Sequence, residues 1–244
     1  MATTQIKIDE WPEDGIRTAI EFIKQQNDST LSVVDVGGHR GETLAALAKN
    51  VELFDYQVFE PNPKSYKVLC EYASQFESVD KKIRVHNTAV GAEEGFIEFH
   101  MTQASAVAGV LKPVEGLTQR VPGGDHEIAQ SIDCQLCRID SLKEVEQGNI
   151  IDLLKIDTEG FDLEVMKGAK KALETGQFKA VLSEAFFVPY REGQAYFWDL
   201  ASYMQSVGYH FVNLYDCRDT GQGRLYTGNA LWLSPELAEQ SDFL

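Results

Sequence analysis

A chain of 244 residues, 43% hydrophobic and 25% charged, has the composition of an ordinary globular protein and the length for one large α/β domain with a buried core. Its formal charge of −16 speaks against nucleic acid as a partner, because a phosphate-backbone footprint needs clustered lysine and arginine. The same charge disfavours an anionic membrane surface or a strongly acidic polymer, and leaves open a locally basic pocket for a small acidic metabolite.

The opening stretch MATTQIKIDEWPEDG lacks a basic region followed by an apolar run, so no secretory signal is expected. No apolar run approaches the ~20 residues of a membrane span. Four cysteines in so long a chain are no disulfide framework. Cys134 and Cys137 form a lone C-x-x-C with no second pair or His-x-x-x-His to complete a zinc set. On a strand-like stretch they read as small hydrophobes in a reducing, cytoplasmic compartment.

Residues 14–26 place Ile16, Ile20 and Ile23 at helical spacing, with Asp14 as the expected N-cap of a helix within an N-terminal lead-in of residues 1–30. A single domain is expected over 31–244. LSVVDVGG (31–38) reads as a buried strand ending in glycines, GETLAALAKN as a helix, FDYQVFE (54–60) as a strand, 63–76 as a helix and IRVHNTAVG (83–91) as a strand. This alternation implies parallel strands with helical crossovers. GFIEFHM (95–101) and IDCQLCRID (132–140) form an inserted antiparallel excursion spanning about 95–140. Between them, residues 102–130 carry no sustained period, as in a lid or mobile loop. The core resumes with a strand over 150–157, a helix over 163–176 and a strand over 178–186. A helix over 194–208 and strands over 209–216 and 228–234 complete it, the last two joined by the turn-rich CRDTGQGRLYT.

The sharpest local signal is VVDVGGHRGE. Gly37, Gly38 and Gly41 stand where a strand turns into a helix, and glycine there permits a tight turn and close approach of a ligand. Glu60 ends the next strand, roughly 20 residues on, where a carboxylate accepts both hydroxyls of a ribose. A dinucleotide site shares both features. Asp35 separates the two, because a carboxylate beside the loop suits the ammonium and sulfonium of S-adenosylmethionine and repels a pyrophosphate. The loop also lacks the Lys-Ser/Thr of a phosphate-binding P-loop.

VVDVGGHRGE, YQVFEPNP, VHNTAVG, DLLKIDTEGFDLEVMKGA and VLSEAF together resemble the FkbM family of class I methyltransferases over nearly the whole chain. FEPNP and KIDTEGFD are the most specific pieces. The resemblance implies a Rossmann-like, seven-stranded, mostly parallel sheet with an antiparallel last strand and helices on both faces. It also implies S-adenosylmethionine as cofactor and O-methylation of a hydroxyl on a small metabolite, sugar or glycan. By resemblance, Gly37, Gly38 and Gly41 line the methionine part, and Glu60 holds the ribose. Pro61, Asn62, Asn87, Thr88 and Ala89 border the adenine. The chain departs from the family pattern at His39-Arg40, where many members carry a small residue and asparagine.

Methyl transfer is an in-line displacement that needs an aligned nucleophile, a dry site and, for a hydroxyl, a base or metal. Asp157 is expected at the cofactor's methyl end, with Glu159 holding the acceptor hydroxyl or acting as base. Asp162 and Glu184 are further carboxylates at strand ends. No tight D-x-D spacing is present, so Mg²⁺ is possible without being favoured, and no metal ligand is assigned. Of five histidines, His126 in the 102–130 loop is the candidate for proton transfer, with His100 at its other flank, while His86 and His210 read as structural or incidental. Tyr190, Arg191, Phe186, Phe187 and Phe197 are placed to shape an acceptor pocket. An NAD(P)-dependent oxidoreductase and a non-catalytic S-adenosylmethionine-binding module remain the competing functions, and homo-oligomerisation is open.

Overall fold

The computed structural model describes residues 13–25, 30–76, 82–116, 126–220 and 223–241. Helix α1 (Asp14–Lys24) leads to β1 (Leu31–Val36), α2 (Glu42–Asn50), β2 (Leu53–Phe59), α3 (Pro63–Ala73) and β3 (Lys82–His86). A small sheet follows, of β4 (Ala89–Val90), β5 (Gly95–Thr102) and β6 (Ile128–Cys137), then the short α4 (Lys143–Glu146). Next come β7 (Ile151–Ile156), α5 (Asp162–Gly168), α6 (Lys170–Glu174), β8 (Phe178–Phe186) and α7 (Phe197–Ser206). The hairpin β9 (His210–Asp219) and β10 (Leu225–Leu233) and a final α8 (Pro235–Gln240) complete the order.

The main sheet has seven strands in the order β3-β2-β1-β7-β8-β10-β9. Strands β3, β2, β1, β7 and β8 pair in parallel, and β10 runs antiparallel to both of its neighbours. The expected mostly parallel α/β sheet with an antiparallel last strand is the one observed. Strand alternation divides its core in two. Val33, Tyr56, Val58, Leu153, Leu182 and Leu231 face α1, α2, α3 and α8. Val34, Phe59, Leu154, Ile156, Val181 and Trp232 face α5, α6 and α7. Both faces of the sheet are covered, so every residue of β7 is buried, Asp152 and Lys155 included.

Several boundaries differ from the sequence expectation, each for a local reason. The strand expected over 83–91 breaks at Asn87, whose amide donates to the carbonyls of Glu60 (2.8 Å) and Pro61 (3.1 Å). The chain beyond it joins β6 in the small sheet. The helix expected over 163–176 breaks at Ala169, and Asp140 accepts from the amides of Lys171 and Ala172 to start the second piece. The helix expected from 194 starts at Phe197, where Asp199 accepts from the Tyr196 amide at 2.8 Å. The turn-rich 217–227 is largely strand, since β9 and β10 extend into it. Asp14 is not the N-cap of α1. That position is Glu13, and Asp216 of β9 accepts from the amides of Asp14 (3.0 Å) and Gly15 (3.3 Å). This cross-chain cap fastens α1 to the sheet, where Ile16, Ile20 and Ile23 join the core.

Of the segment expected to lack structure, residues 103–116 form a strap rather than a free loop. A 3₁₀ turn at Ser105–Val107 begins it. Its backbone pairs His100 with Gly109 through both amides, Val114 with Tyr190 at 3.1 Å, and Glu192 with Lys112 at 2.8 Å. Residues 117–125 lie outside the described residues. Cys134 sits in the small-sheet core, and burial pushes the Cys134 and Cys137 thiols up to about 11, as expected of inert hydrophobes. All four cysteines are free. No described helix is long and apolar enough to cross a membrane.

Candidate functional site

The strand order reverses at β1, between β2 and β7, which is where open α/β sheets bind ligands at the carboxyl ends of their strands. A cavity of about 400 Å³ opens there, within the range of small-molecule sites. Its floor is Val36, Gly37, Gly38, Phe59, Glu60 and Pro61, one side is Thr88, Ala89 and Val90, and the other is Lys155, Asp157, Thr158 and Glu159. The strap closes over it with Ser105, Ala106, Ala108, Gly109 and Val110.

The glycines are demanded first by packing. An added Cβ on Gly37, at φ +87°, would lie 1.9 Å from the Asp157 carbonyl oxygen, because β1 and β7 end side by side. Gly37→Ala is therefore expected to destabilise the fold by on the order of 3 kcal/mol, measured by urea unfolding. Gly41, at φ +101°, is the N-cap of α2 and does not line the cavity.

Glu60 is buried at the cavity floor. Its carboxylate accepts from the backbone amides of His39 (2.8 Å) and Asn62 (2.7 Å), which fix its orientation. Burial pushes it up to about 7 despite those bonds. Asn62 caps α3 through the Lys64 amide, and Asn87 anchors the Glu60–Pro61 backbone, so these two shape the pocket wall from behind.

Asp35 is placed differently from the expectation of an ammonium-facing carboxylate. It is fully buried and absent from the cavity wall. Alternation puts it on the α1 face with Tyr56, whose hydroxyl donates to it at 2.5 Å, and its parallel neighbour on β7 is Lys155, 3.8 Å away. Lys155 does line the cavity, and its ammonium also bonds Asp157 at 3.2 Å. Burial works to lower Lys155, and the carboxylates of Asp157, Asp35 and Glu13 outweigh it, keeping the lysine charged. Asp35 thus serves the site through Lys155 rather than through a ligand. Lys155 is no part of the expected site, and the strand register opposite Asp35 is what places it there. Burial raises Asp35 above its ordinary range, against Lys155 and the Tyr56 bond. A raised carboxyl contributes stability that is present below its unfolded pKa and lost as pH rises. Tyr56→Phe deepens this loss, so it is expected to cost about 1–3 kcal/mol at neutral pH and less near the ordinary carboxylate pKa, measured by denaturation at both.

Glu159, at φ +58°, holds a backbone conformation that side chains rarely adopt, a strain that clusters at functional sites. Arg191 holds it at 2.7 Å and donates equally closely to the Val107 carbonyl of the strap. Burial raises Glu159, with the Arg191 charge opposing. Asp157, Glu159 and Glu184 bring carboxylate oxygens within 4.8 Å of one another. Glu184 is raised well above its usual range by burial and by the neighbouring Glu159, Asp157 and Asp162 charges, and it accepts from the Thr227 hydroxyl at 3.2 Å. Asp162 faces inward, accepting from Thr158 and from the Glu184 amide, and burial pushes it up to about 7. It is a buried clamp between β7 and β8.

His126 is buried edge-on against Tyr190, 5.4 Å between ring centroids, and does not line the cavity. The histidine that does is His39, whose ring nitrogens meet Glu42 (3.2 Å) and the Ser105 hydroxyl (3.0 Å). The family departure at this position therefore latches the strap to the glycine loop. Phe186 stacks on Tyr190 in a separate core cluster, and the half-buried Phe187 stacks on Phe197, so these rings pack on one another and do not line the cavity.

This strand order, with the site at the β1 switch point, is that of a class I S-adenosylmethionine-dependent methyltransferase fold. A family model described as the methyltransferase FkbM domain matches residues 35–211, and the chain belongs to that family. No curated protein matches it. Among solved structures, methyltransferase FkbM from Methylobacillus flagellatus KT is similar at 17% identity and a TM-score of 0.54. That likeness covers 84% of this chain and 43% of the other, so this chain spans less than half of its length. Magnesium protoporphyrin IX methyltransferase from Synechocystis PCC 6803, with bound SAM, is similar at 10% identity and a TM-score of 0.50, over 90% of this chain and 77% of that one.

Proposed function

We propose that the chain transfers the methyl group of S-adenosylmethionine to a hydroxyl of a small metabolite, sugar or glycan. The observation that carries this reading is the charge of the cavity wall. Glu13, Glu42, Glu60, Asp157 and Glu159 line it against Lys155 and Arg218. Such a wall attracts a cationic sulfonium and ammonium and repels the two phosphates of NAD(P). The same-signed field also favours a small acceptor over nucleic acid. Glu60 would take the ribose hydroxyls, the backbone of Gly37 and Gly38 would face the methionine part, and Thr88 and Ala89 the adenine.

The cofactor supplies an electrophilic methyl carbon on sulfur. The acceptor oxygen attacks this carbon, the carbon–sulfur bond breaks, and its electron pair stays on sulfur, leaving S-adenosylhomocysteine. The acceptor proton must go to a base. Asp157 and Glu159, at the end of β7, are the carboxylates facing the cavity, with Glu159 oriented by Arg191. The strap keeps water from the reacting atoms. A magnesium ion on the same carboxylates is less favoured, because Arg191 already neutralises Glu159.

Thermal unfolding with each ligand tests this reading. S-adenosylhomocysteine is expected to raise the melting midpoint and NAD(P) to leave it unchanged, since only a ligand of the folded state stabilises it. Stabilisation by NAD(P) alone would overturn it.

A further inference from the structure

A second hollow, of about 340 Å³, lies on the outer side of the strap and shares Ser105 with the main cavity. Its polar lining includes Arg40, Asn62, Lys64, Ser65, Ser105 and Gln130. It contains two cations and no carboxylate, in a chain whose net charge is −16. It also borders the N-terminus of the eleven-residue α3, whose dipole favours an anion.

One side chain there has no partner within the protein. Ser65 is 1% exposed, and its hydroxyl makes no hydrogen bond. Buried hydroxyls are almost always bonded, so a lone one in the wall of a hollow calls for an acceptor from outside. Arg40 is the other half of the departure from the family pattern. Its guanidinium donates to the Ser105 hydroxyl at 3.3 Å, at the edge of the hollow that Lys64 and Ser65 also line.

We infer that this hollow is a phosphate-binding subsite. Donors converge on it from the glycine loop (Arg40) and from the first turn of α3 (Lys64, Ser65), which suits a tetrahedral anion with several acceptor oxygens better than a planar carboxylate. The shared Ser105 puts this group next to the main cavity. A phosphate ester on the methyl acceptor would then lie across the strap, and that last step rests on the methyl-transfer reading.

Isothermal titration of the whole protein with inorganic phosphate, without cofactor, tests the subsite. Wild type is expected to bind it with millimolar affinity or better. Lys64→Gln and Ser65→Ala should each weaken it by about tenfold, the loss of one charge-assisted bond, with S-adenosylhomocysteine affinity and melting midpoint unchanged. A parallel titration with glycerol 3-phosphate separates the sources. Tighter binding of the ester assigns the group to a phosphorylated acceptor, and equal or weaker binding assigns it to free phosphate. Equal phosphate binding by wild type and both variants, or none in the millimolar range, would overturn the subsite while leaving the cofactor reading untouched. Failure of S-adenosylhomocysteine to bind would do the reverse.

Discussion

Replacing Glu60 with glutamine is expected to weaken S-adenosylhomocysteine about 100-fold, the loss of two charge-assisted bonds to the ribose. The wild-type affinity should itself depend on pH. Burial pushes the Glu60 carboxyl up to about 7, while the form that accepts two hydroxyls is the anion. Below pH 7 a proton must leave before the ligand binds, so affinity should fall by up to tenfold for each pH unit and level off above about 7. Stability runs the other way. A raised carboxyl contributes stability that is complete below its unfolded value of 4.5 and lost as pH rises through about 7. The fold thus bears the cost of the charge, and the ligand's hydroxyls offset it. Glutamine keeps the side chain's shape but points an amide at one of the His39 and Asn62 backbone donors, so the melting midpoint is the control. A titration curve with the same affinity and the same pH profile in wild type and variant would show that Glu60 does not hold the ribose.

Glu159→Gln is expected to lower kcat by about 10²–10⁴, the usual worth of a positioned base, with S-adenosylhomocysteine affinity changed by little. The variant also leaves Arg191, 2% exposed, facing a neutral amide. Breaking a buried pair from one side costs about 3–5 kcal/mol at most, moderated here because Arg191 keeps its bond to the Val107 carbonyl. The strap should loosen as a result, so KM is expected to rise together with the fall in kcat. Following methyl transfer at temperatures well below the variant's melting midpoint separates lost chemistry from lost folding. Near-wild-type kcat in a folded Glu159→Gln protein would move the base to Asp157, the other β7 carboxylate facing the cavity.

These two carboxylates were both legible in the sequence, and for the same reason. Each ends a strand whose apolar run is visible, and strand ends on the carboxyl side of such a sheet converge by construction. Asp35 shows where that logic stops. Its place two residues before Gly37 was readable, but which way it faces depends on the strand alternation counted from Val33 and on Tyr56 and Lys155 across the sheet. His126 failed for a related reason. Its setting in a loop suggested reach into the pocket, and only the packing of Tyr190 reveals that its ring is buried away from the cavity. His39, set aside as a departure from pattern, instead became the latch because the strap returns Ser105 to it from 66 residues away.

By itself the sequence determined the parallel strands with their helical crossovers and the glycine loop with Glu60 beyond it. Hydrophobic period, turn chemistry and spacing along the chain are local, and they suffice for these. Only the tertiary structure decided which polar groups share a surface. The Lys155 charge among three carboxylates, the raised Glu184, the Arg191 clasp on Glu159 and the strap that roofs the cavity all depend on contacts between distant segments. Such contacts are set by burial and register across the sheet, which no run of neighbouring residues contains.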